Sequence, residues 1–339
     1  MLAMAWNLIG HSWAEKMLLQ HIIRGQVRHA YLFTGPNGVG RRSMALHFAM
    51  AINCLQPNSP GIPCGICRNC IQIQRMQHPD LSIVQAETLG GVLKVDQIRE
   101  LQHQLSLSPY EASSRIALLL RLEEANDNAQ NALLKTLEEP NEKVILLLTA
   151  DLVENLLPTI PSRCEVMRLR PAPVKELASA LIKRENISSE KAQLIAHIAC
   201  GRPGFACHLL HEPELLERRQ LWLEDLLIML KANRRQRFAY CESKFYSRND
   251  DRNEIKEKLR EALGHWLSFW RDVLLTVSGA EIPLTNLDFT SQVSQIANQM
   301  NLEAAHFLTK RIENSLPRLS NANLRLLAES LILEWPHVS

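Results

Sequence analysis

The sequence predicts an α/β fold, a parallel five-stranded sheet with flanking helices, followed by purely helical segments. Three observations predict it. Five short apolar runs, at residues 30–34, 81–85, 115–122, 144–149 and 165–169, alternate with amphipathic stretches, the order expected of a doubly wound layer. A glycine-rich turn from Gly35 to Gly40 joins the first run to a helical stretch, the strand, loop and helix succession of a phosphate loop. Beyond Pro171-Ala172-Pro173 the strand signals stop and helical periodicity alone continues.

Taken in order, Met1 to Gly10 is mildly apolar but carries no basic leader region, so no signal peptide is read there. Trp13 to Arg24 reads as a helix. Ala30 to Thr34 is a strand feeding the glycine turn, and Arg42 to Ile52 an amphipathic helix leaving it. Leu81 to Gln85 follows the turn-like His78-Pro79-Asp80 as a second strand. Val95 to Leu107 places Val95, Ile98, Leu101 and Leu105 on one helix face. Arg115 to Leu122 and Val144 to Thr149 are apolar enough for the middle of a parallel sheet. Between them, Asn126 to Glu139 is a helix capped by Asn126 and stopped by Pro140. Asp151 caps a short helix that breaks at Pro158, and Pro161-Ser162-Arg163-Cys164 leads into the fifth strand, Glu165 to Leu169. Three short helices follow, at 174–185, 189–199 (capped by Ser188 or Ser189) and 205–210. Longer helical segments follow at 213–232, 252–278, 289–299, 302–316 and 321–335, with breaks at Lys244–Asp251, Gly279–Asn286 and Pro317.

A working phosphate loop reads G-x-x-x-x-G-K-[ST]. Its backbone N–H groups curl around phosphate, the Lys reaches the outer phosphates and the hydroxyl holds Mg²⁺. Here Gly35 and Gly40 keep the spacing, but Arg41 and Arg42 stand in place of Lys and Ser/Thr. Ser43 does not substitute, because one residue along a helix turns a side chain by about 100°. Arg42 would put a cation where Mg²⁺ belongs. The chain is therefore expected to hydrolyse no ATP, although amides at a helix N-terminus retain the means to hold a phosphate weakly. A dinucleotide fingerprint fails, since Gly35, Gly38 and Gly40 do not form G-x-G-x-x-G.

Cys54, Cys64, Cys67 and Cys70 are spaced C-x9-C-x2-C-x2-C within a Pro- and Gly-rich stretch. Two residues between thiols let a tight turn aim both sulfurs at one ion, and the turn-rich spacer brings the remaining thiol round. The pattern predicts a structural Zn²⁺ site. Four thiolates leave no open position for water, so such a site stabilises and does not catalyse. Cys164, Cys200, Cys207 and Cys241 lack partner spacing and read as buried or incidental thiols.

Composition sets bounds on this reading. A chain of 339 residues has room for two or three domains, and a net charge of +2 confines any nucleic-acid contact to local patches. No apolar run reaches the ~18 residues of a membrane span, and a cytoplasmic, reducing location is expected, in which cysteines serve as ligands or core more than as disulfides.

Several blocks together resemble the bacterial DNA polymerase III clamp-loader family of AAA+ proteins, in particular its delta prime type. They are His29-Ala30-Tyr31-Leu32-Phe33 running into the glycine loop, the four-cysteine insert, the stretch Asn131-Ala132-Leu133-Leu134-Lys135-Thr136-Leu137-Glu138-Glu139-Pro140, and Ser162-Arg163-Cys164. The resemblance spans residues 8 to 210 and implies an AAA+ domain over 1–172 with its zinc module at 54–70, a helical lid over 173–211 and a C-terminal helical collar over 212–339. The family's ATPase subunits close the third strand with an Asp-Glu pair and carry a γ-phosphate-sensing Arg in the lid. Those positions fall on Leu120 and Arg121, and on Gly204, although Glu123 and Glu124 lie close to the first pair. The resemblance implies that Arg163 acts in trans, as an arginine finger on ATP held by a neighbouring subunit, with Ser162 and Cys164 positioning its loop. It further implies a hetero-oligomeric ring with gamma/tau ATPase subunits and a delta subunit, acting through the complex on the beta sliding clamp and primer–template DNA during DNA replication, with no membrane partner.

Two rival readings follow from the same residues: an active clamp-loader ATPase with an unusual loop, or a zinc-containing DNA-binding adaptor. The run Lys231 to Arg237 reads as a solvated charge run at a helix end or as a phosphate contact. Trp222, Trp266, Trp270 and Trp335 read as core or subunit interface more than as base-stacking platforms.

Overall fold

The structure, a computed structural model, describes residues 6–88, 90–246 and 251–337. Residues 1–5 of the N-terminal stretch and 247–250 of the break at Lys244–Asp251 lie outside the described residues. By contact the chain divides into two compact units, Met1–Glu185 with Gly201–Phe205, and Asn186–Cys200 with Ala206–Ser339.

The first unit is built on five parallel strands, β1 (Ala30–Thr34), β2 (Leu81–Val84), β3 (Arg115–Leu119), β4 (Val144–Ala150) and β5 (Glu165–Arg168), in the order β2-β3-β4-β1-β5. Strands β1, β3 and β4 are buried along their whole length, because helices cover both faces and leave no solvated side to reward polar alternation. The period of two sorts their side chains. Tyr31, Phe33, Ile116, Leu118 and Leu147 face a layer with Leu18 of α1 (Ser12–Ile23), Met44 and Phe48 of α2 (Arg41–Asn53), and Cys70 and Ile73 of α3 (Arg68–Gln74). Leu32, Ala117, Leu119, Leu146 and Leu148 face Ile98, Leu101 and Leu105 of α4 (Val95–Leu105) and Leu133 and Leu137 of α5 (Asp127–Glu138).

The local signals for α5 act as expected: Asn126 accepts a hydrogen bond from Ala129 N at 2.8 Å and caps the helix. Two details differ. The third strand ends at Leu119, because Arg121 takes a left-handed conformation (φ 53°) and turns the chain into a 3₁₀ turn at Leu122–Glu124. Asp151 does not cap a helix. Its carboxylate accepts from Leu152 N and Asn155 Nδ2, and the segment forms only a 3₁₀ turn at Val153–Asn155. Helix α6 (Val174–Glu185) completes the unit, with the start of α8 (Pro203–His211).

The second unit contains α7 (Ser189–Ile198), capped by Ser188, together with α9 (Pro213–Lys231), α10 (Arg234–Phe245), α11 (Arg252–Val277), α12 (Thr290–Ala297), α13 (Leu302–Glu313) and α14 (Leu324–Leu333). Its core is aromatic. Trp222, Trp266, Trp270 and Trp335 are all buried, Trp222 stacked on Phe245 at 5.7 Å and Trp266 edge-on to Trp335 at 4.9 Å. None of the four is available to stack on a base.

The run Lys231 to Arg237 crosses the start of α10, a helix the sequence reading did not assign; Lys231, Arg234 and Arg235 are exposed, as a solvated run would be, and Arg237 is not. Asn233 caps a new helix there, with Gln236 completing a reciprocal capping box. Arg237 is buried and, among the described residues, bonds to no carboxylate. Its guanidinium donates to Met229 O at 2.9 Å, Ile332 O at 3.1 Å, Trp335 O at 2.7 Å and Pro336 O at 2.9 Å. These carbonyls lie at or just beyond the C-terminal ends of α9 and α14, where helix dipoles concentrate negative charge. Arg237→Ala would take the donor from Trp335 O and Pro336 O, weaken the bonding of Met229 O and Ile332 O, and leave the volume of a buried guanidinium empty. It is expected to destabilise the protein by about 3 kcal/mol or more, read as a fall in the urea midpoint of the unit's unfolding.

Candidate functional site

The glycine loop lies at the carboxyl end of β1, a strand hydrogen-bonded on both sides by β4 and β5, which is where open parallel sheets hold ligands. Gly40, in the left-handed region at φ 110°, opens α2. That conformation aims the first N–H groups of the helix into the loop, and few other residues adopt it. Arg41 therefore projects from the first position of α2. It is buried, 8 % exposed, and its Nη1 stands 3.8 Å from Glu123 Oε1. Burial lowers the Arg41 pKa and raises that of Glu123, each disfavouring its charged form, while the charge of Glu123 opposes the shift at Arg41.

Leu120 and Arg121, the positions counted for an acidic pair, carry no acid into the loop. Leu120 is buried, and Arg121 is engaged through Nε with Glu124 Oε1 at 2.8 Å. Glu123 is brought back to the loop by the left-handed turn at Arg121. Sequence spacing had flagged it as a neighbour of the site, and its engagement with Arg41 is a tertiary contact.

The turn carrying Gly204 closes on the loop directly. Gly204 N donates to Gly38 O at 2.8 Å and Phe205 N donates to the same oxygen at 3.3 Å. A Cβ on Gly204 would meet Gly38 O at 3.0 Å, and one on Gly38 would meet Phe205 Cβ at 2.8 Å. The two backbones meet at glycine distance, so an arginine at 204 would have to push the loop away. On the other side, His11 Nε2 lies 2.7 Å from Val39 O. Gly38 O and Val39 O are thus bonded to groups from outside the loop and its helix.

The four thiols Cys54, Cys64, Cys67 and Cys70 lie within 4.8 Å of one another. Cys54 Sγ is 3.6 Å from Cys64 Sγ and 4.0 Å from Cys67 Sγ, too far for disulfides and close to the ~3.8 Å that tetrahedral Zn–S bonds of about 2.3 Å dictate. Cys64 N donates to Cys54 Sγ and Cys67 N to Cys64 Sγ, both at 3.3 Å. Burial works to raise the Cys67 thiol, but N–H groups of Cys70 and Leu55 and the neighbouring thiols draw it down to about 6. Amides aimed at sulfur favour thiolate, the form that ligates, while burial raises the thiols of Cys54 and Cys70, which keeps them protonated until a cation is bound. The donor set fits a divalent soft-metal site. Cys70 opens no route to solvent, being fully buried against the sheet with Ile73.

Arg163 ends a 3₁₀ turn, Pro161–Arg163, just before β5. Because β5 runs parallel to β1 with Glu165 beside Tyr31, the arginine is at the amino end of the strands and the glycine loop at the carboxyl end. The four steps from Tyr31 to Gly35 alone span about 13 Å. Arg163 Nη1 donates to Thr159 O at 3.0 Å and to Ser162 Oγ at 3.3 Å, and Nη2 pairs with Glu138 Oε1 at 2.8 Å. Ser162 Oγ itself donates to Thr159 O at 2.9 Å. Burial pushes the Cys164 thiol up to about 12, so it stays protonated. The pairing with Glu138 was not legible in the sequence, which singled out the stretch containing it without assigning it a contact.

Comparison with known proteins shows the family. A family model described as DNA polymerase III, delta subunit, matches residues 10–173. The chain is 30 % identical to the DNA polymerase III subunit delta' of Bacillus subtilis over 321 residues, covering 94 % of each. The chain belongs to the DNA polymerase III delta prime, gamma and tau family of clamp-loader subunits. Within that family it is 32 % identical over 223 residues to the delta' subunit of Pseudomonas aeruginosa, covering 65 % of this chain and 67 % of the relative. It is also 32 % identical over 200 residues to the tau subunit of Escherichia coli, covering 58 % of this chain and 30 % of that one. Among solved structures, a gamma subunit-related protein from Thermotoga maritima aligns with a TM-score of 0.50 at 18 % identity over 96 % of this chain and 99 % of that one, a likeness of fold. The family thus includes both delta prime and tau relatives. Among the described residues no helix is long and apolar enough to cross a membrane.

Proposed function

We propose that this chain is a delta prime-like, non-hydrolysing subunit of a sliding-clamp loader. It completes a hetero-oligomeric ring and lends Arg163 to ATP held by a neighbouring gamma/tau-type subunit, while the complex, with a delta subunit, places the clamp on primer–template DNA. The observation that carries this reading is the placement of the two elements at opposite ends of one parallel sheet. A loop whose Lys and hydroxyl are replaced by Arg41 and Arg42 occupies one end, and a half-buried guanidinium on a 3₁₀ turn occupies the other. An arginine so placed serves a site outside its own chain.

The loop itself supports the same division. Arg41 fills the position from which Lys would reach phosphate, Glu123 engages that arginine instead of Mg²⁺, and the Gly204 turn is bonded to Gly38. In this reading residues 173–211 act as lid and 212–339 as collar. Cys54, Cys64, Cys67 and Cys70 hold one structural Zn²⁺, which supplies cross-linking of a loop-rich insert and no catalytic position.

The test is ATP turnover by the purified chain alone. No Mg²⁺-dependent hydrolysis above background is expected, whereas saturable turnover by the isolated polypeptide would assign it to the ATPase members of the family.

A further inference from the structure

We propose that Glu138 is a positioning residue that parks Arg163 and is displaced when the neighbouring triphosphate takes the guanidinium; this rests on the reading of Arg163 as a finger. The two side chains come from elements that share no local sequence logic. Glu138 ends α5, Arg163 ends the 3₁₀ turn before β5, and their contact is 2.8 Å. The guanidinium is held on two edges. Nη1 donates to Thr159 O and Ser162 Oγ, which anchors it to its own turn, and Nη2 meets the carboxylate.

The Glu138 carboxylate thus occupies a donor position of the fork that a phosphate oxygen would take, since carboxylate and phosphate are read by the same planar geometry. The Thr159 and Ser162 bonds can persist when the partner at Nη2 is exchanged. The contact with Glu138 cannot, because a carboxylate left on Nη2 would repel the incoming phosphate and neutralise the charge the finger brings.

Exposure sets the size of the effect. The Arg163 and Glu138 side chains are 34 % and 50 % exposed, so the pair is solvent-screened and contributes little to stability. It is strong enough to bias the finger's orientation and weak enough to yield to a triphosphate. Glu138 therefore acts on the occupancy of the engaged state and not on the chemical step once engaged.

The experiment uses a loader reassembled from full-length subunits, with Glu138→Gln, Arg163→Ala and the double variant, measuring ATP hydrolysis against ATP concentration at low and high salt. Glu138→Gln is nearly isosteric and half-exposed, and leaves the fold intact. The expected result is a KM for ATP lowered by about two- to fivefold, the range of an exposed ion pair, with kcat unchanged. The gain should shrink as salt rises and vanish in the Arg163→Ala background. Unchanged kinetics for Glu138→Gln, where Arg163→Ala alone slows turnover, would overturn parking and leave the finger standing. A change of equal size in the presence and absence of Arg163 would make Glu138 merely structural and also overturn it. Unchanged turnover for Arg163→Ala in an intact ring would overturn the finger and this inference together.

Discussion

Replacing Arg163 with Ala in a reassembled loader is expected to slow ATP turnover at the site facing it by on the order of 10³-fold or more, the range in which arginine fingers act on phosphoryl transfer. The magnitude follows from where the charge appears. In the transition state negative charge spreads over the transferring phosphoryl oxygens, and a guanidinium preorganised against them is worth far more than one recruited from solvent. Arg163 is preorganised by Thr159 O and Ser162 Oγ, so truncation removes both the charge and its placement. Arg163→Lys is expected to recover little, since an ammonium cannot bond the turn and the phosphate through one planar fork. The measurement is DNA-stimulated hydrolysis with ring assembly verified by size-exclusion chromatography. Wild-type turnover at the facing site in an intact Arg163→Ala ring would remove the assigned role. Ser162→Ala, which loses one of the two anchors, is expected to fall between wild type and Arg163→Ala.

The second large effect is metal removal. Zinc bound to small peptides contributes roughly 10 kcal/mol or more at neutral pH, a larger tie than the hydrogen bond of Trp6 Nε1 to Gly61 O and the packing of the insert's thiols on the core. Between the end of α2 and the start of α3 the described backbone pairs only through an isolated bridge, Ser59 with Ile62. Elemental analysis of the wild-type chain is expected to give one zinc per chain, and Cys67→Ser with Cys70→Ser to abolish it and to lose amide-exchange protection through residues 54–74. The loss reaches α3 because Cys70 and Ile73 share its buried face. The sheet, whose strands pair independently of the insert, is expected to retain protection. A metal-free wild-type chain with the same protection pattern would refute the site. Ligation requires thiolates, so zinc affinity is expected to fall as pH drops.

Much of the first unit was legible in the sequence because its signals are local. The strand Ala30–Thr34 and the start of β4 at Val144 fall where the apolar runs place them, and Asn126 caps α5 as its position indicates. Helices α3 and α10 were not read from the sequence, for different reasons. The Arg68–Gln74 helix is too short for a periodic signature and is set by the cysteine cluster at its start. The α10 run looks solvated because its charges are read one by one, whereas burial of Arg237 depends on carbonyls nearly a hundred residues away. Third-strand length failed similarly: Arg115 to Leu122 is continuous in hydrophobicity, and only the left-handed turn at Arg121 ends the strand early.

What the sequence determined by itself is that Arg41 and Arg42 stand where a phosphate loop has Lys and Ser/Thr, and that four cysteines are spaced to meet in one cluster. Both depend on which side chains stand at fixed short spacings, and local backbone geometry carries that information. What only the tertiary structure decided is the company those residues keep. The engagement of Arg41 with Glu123, the Gly204 turn on Gly38, the distance of Arg163 from its own loop and its pairing with Glu138 all join segments far apart in the chain. Such meetings are set by the order and direction of strands packed in one sheet, which no window of neighbouring residues encodes.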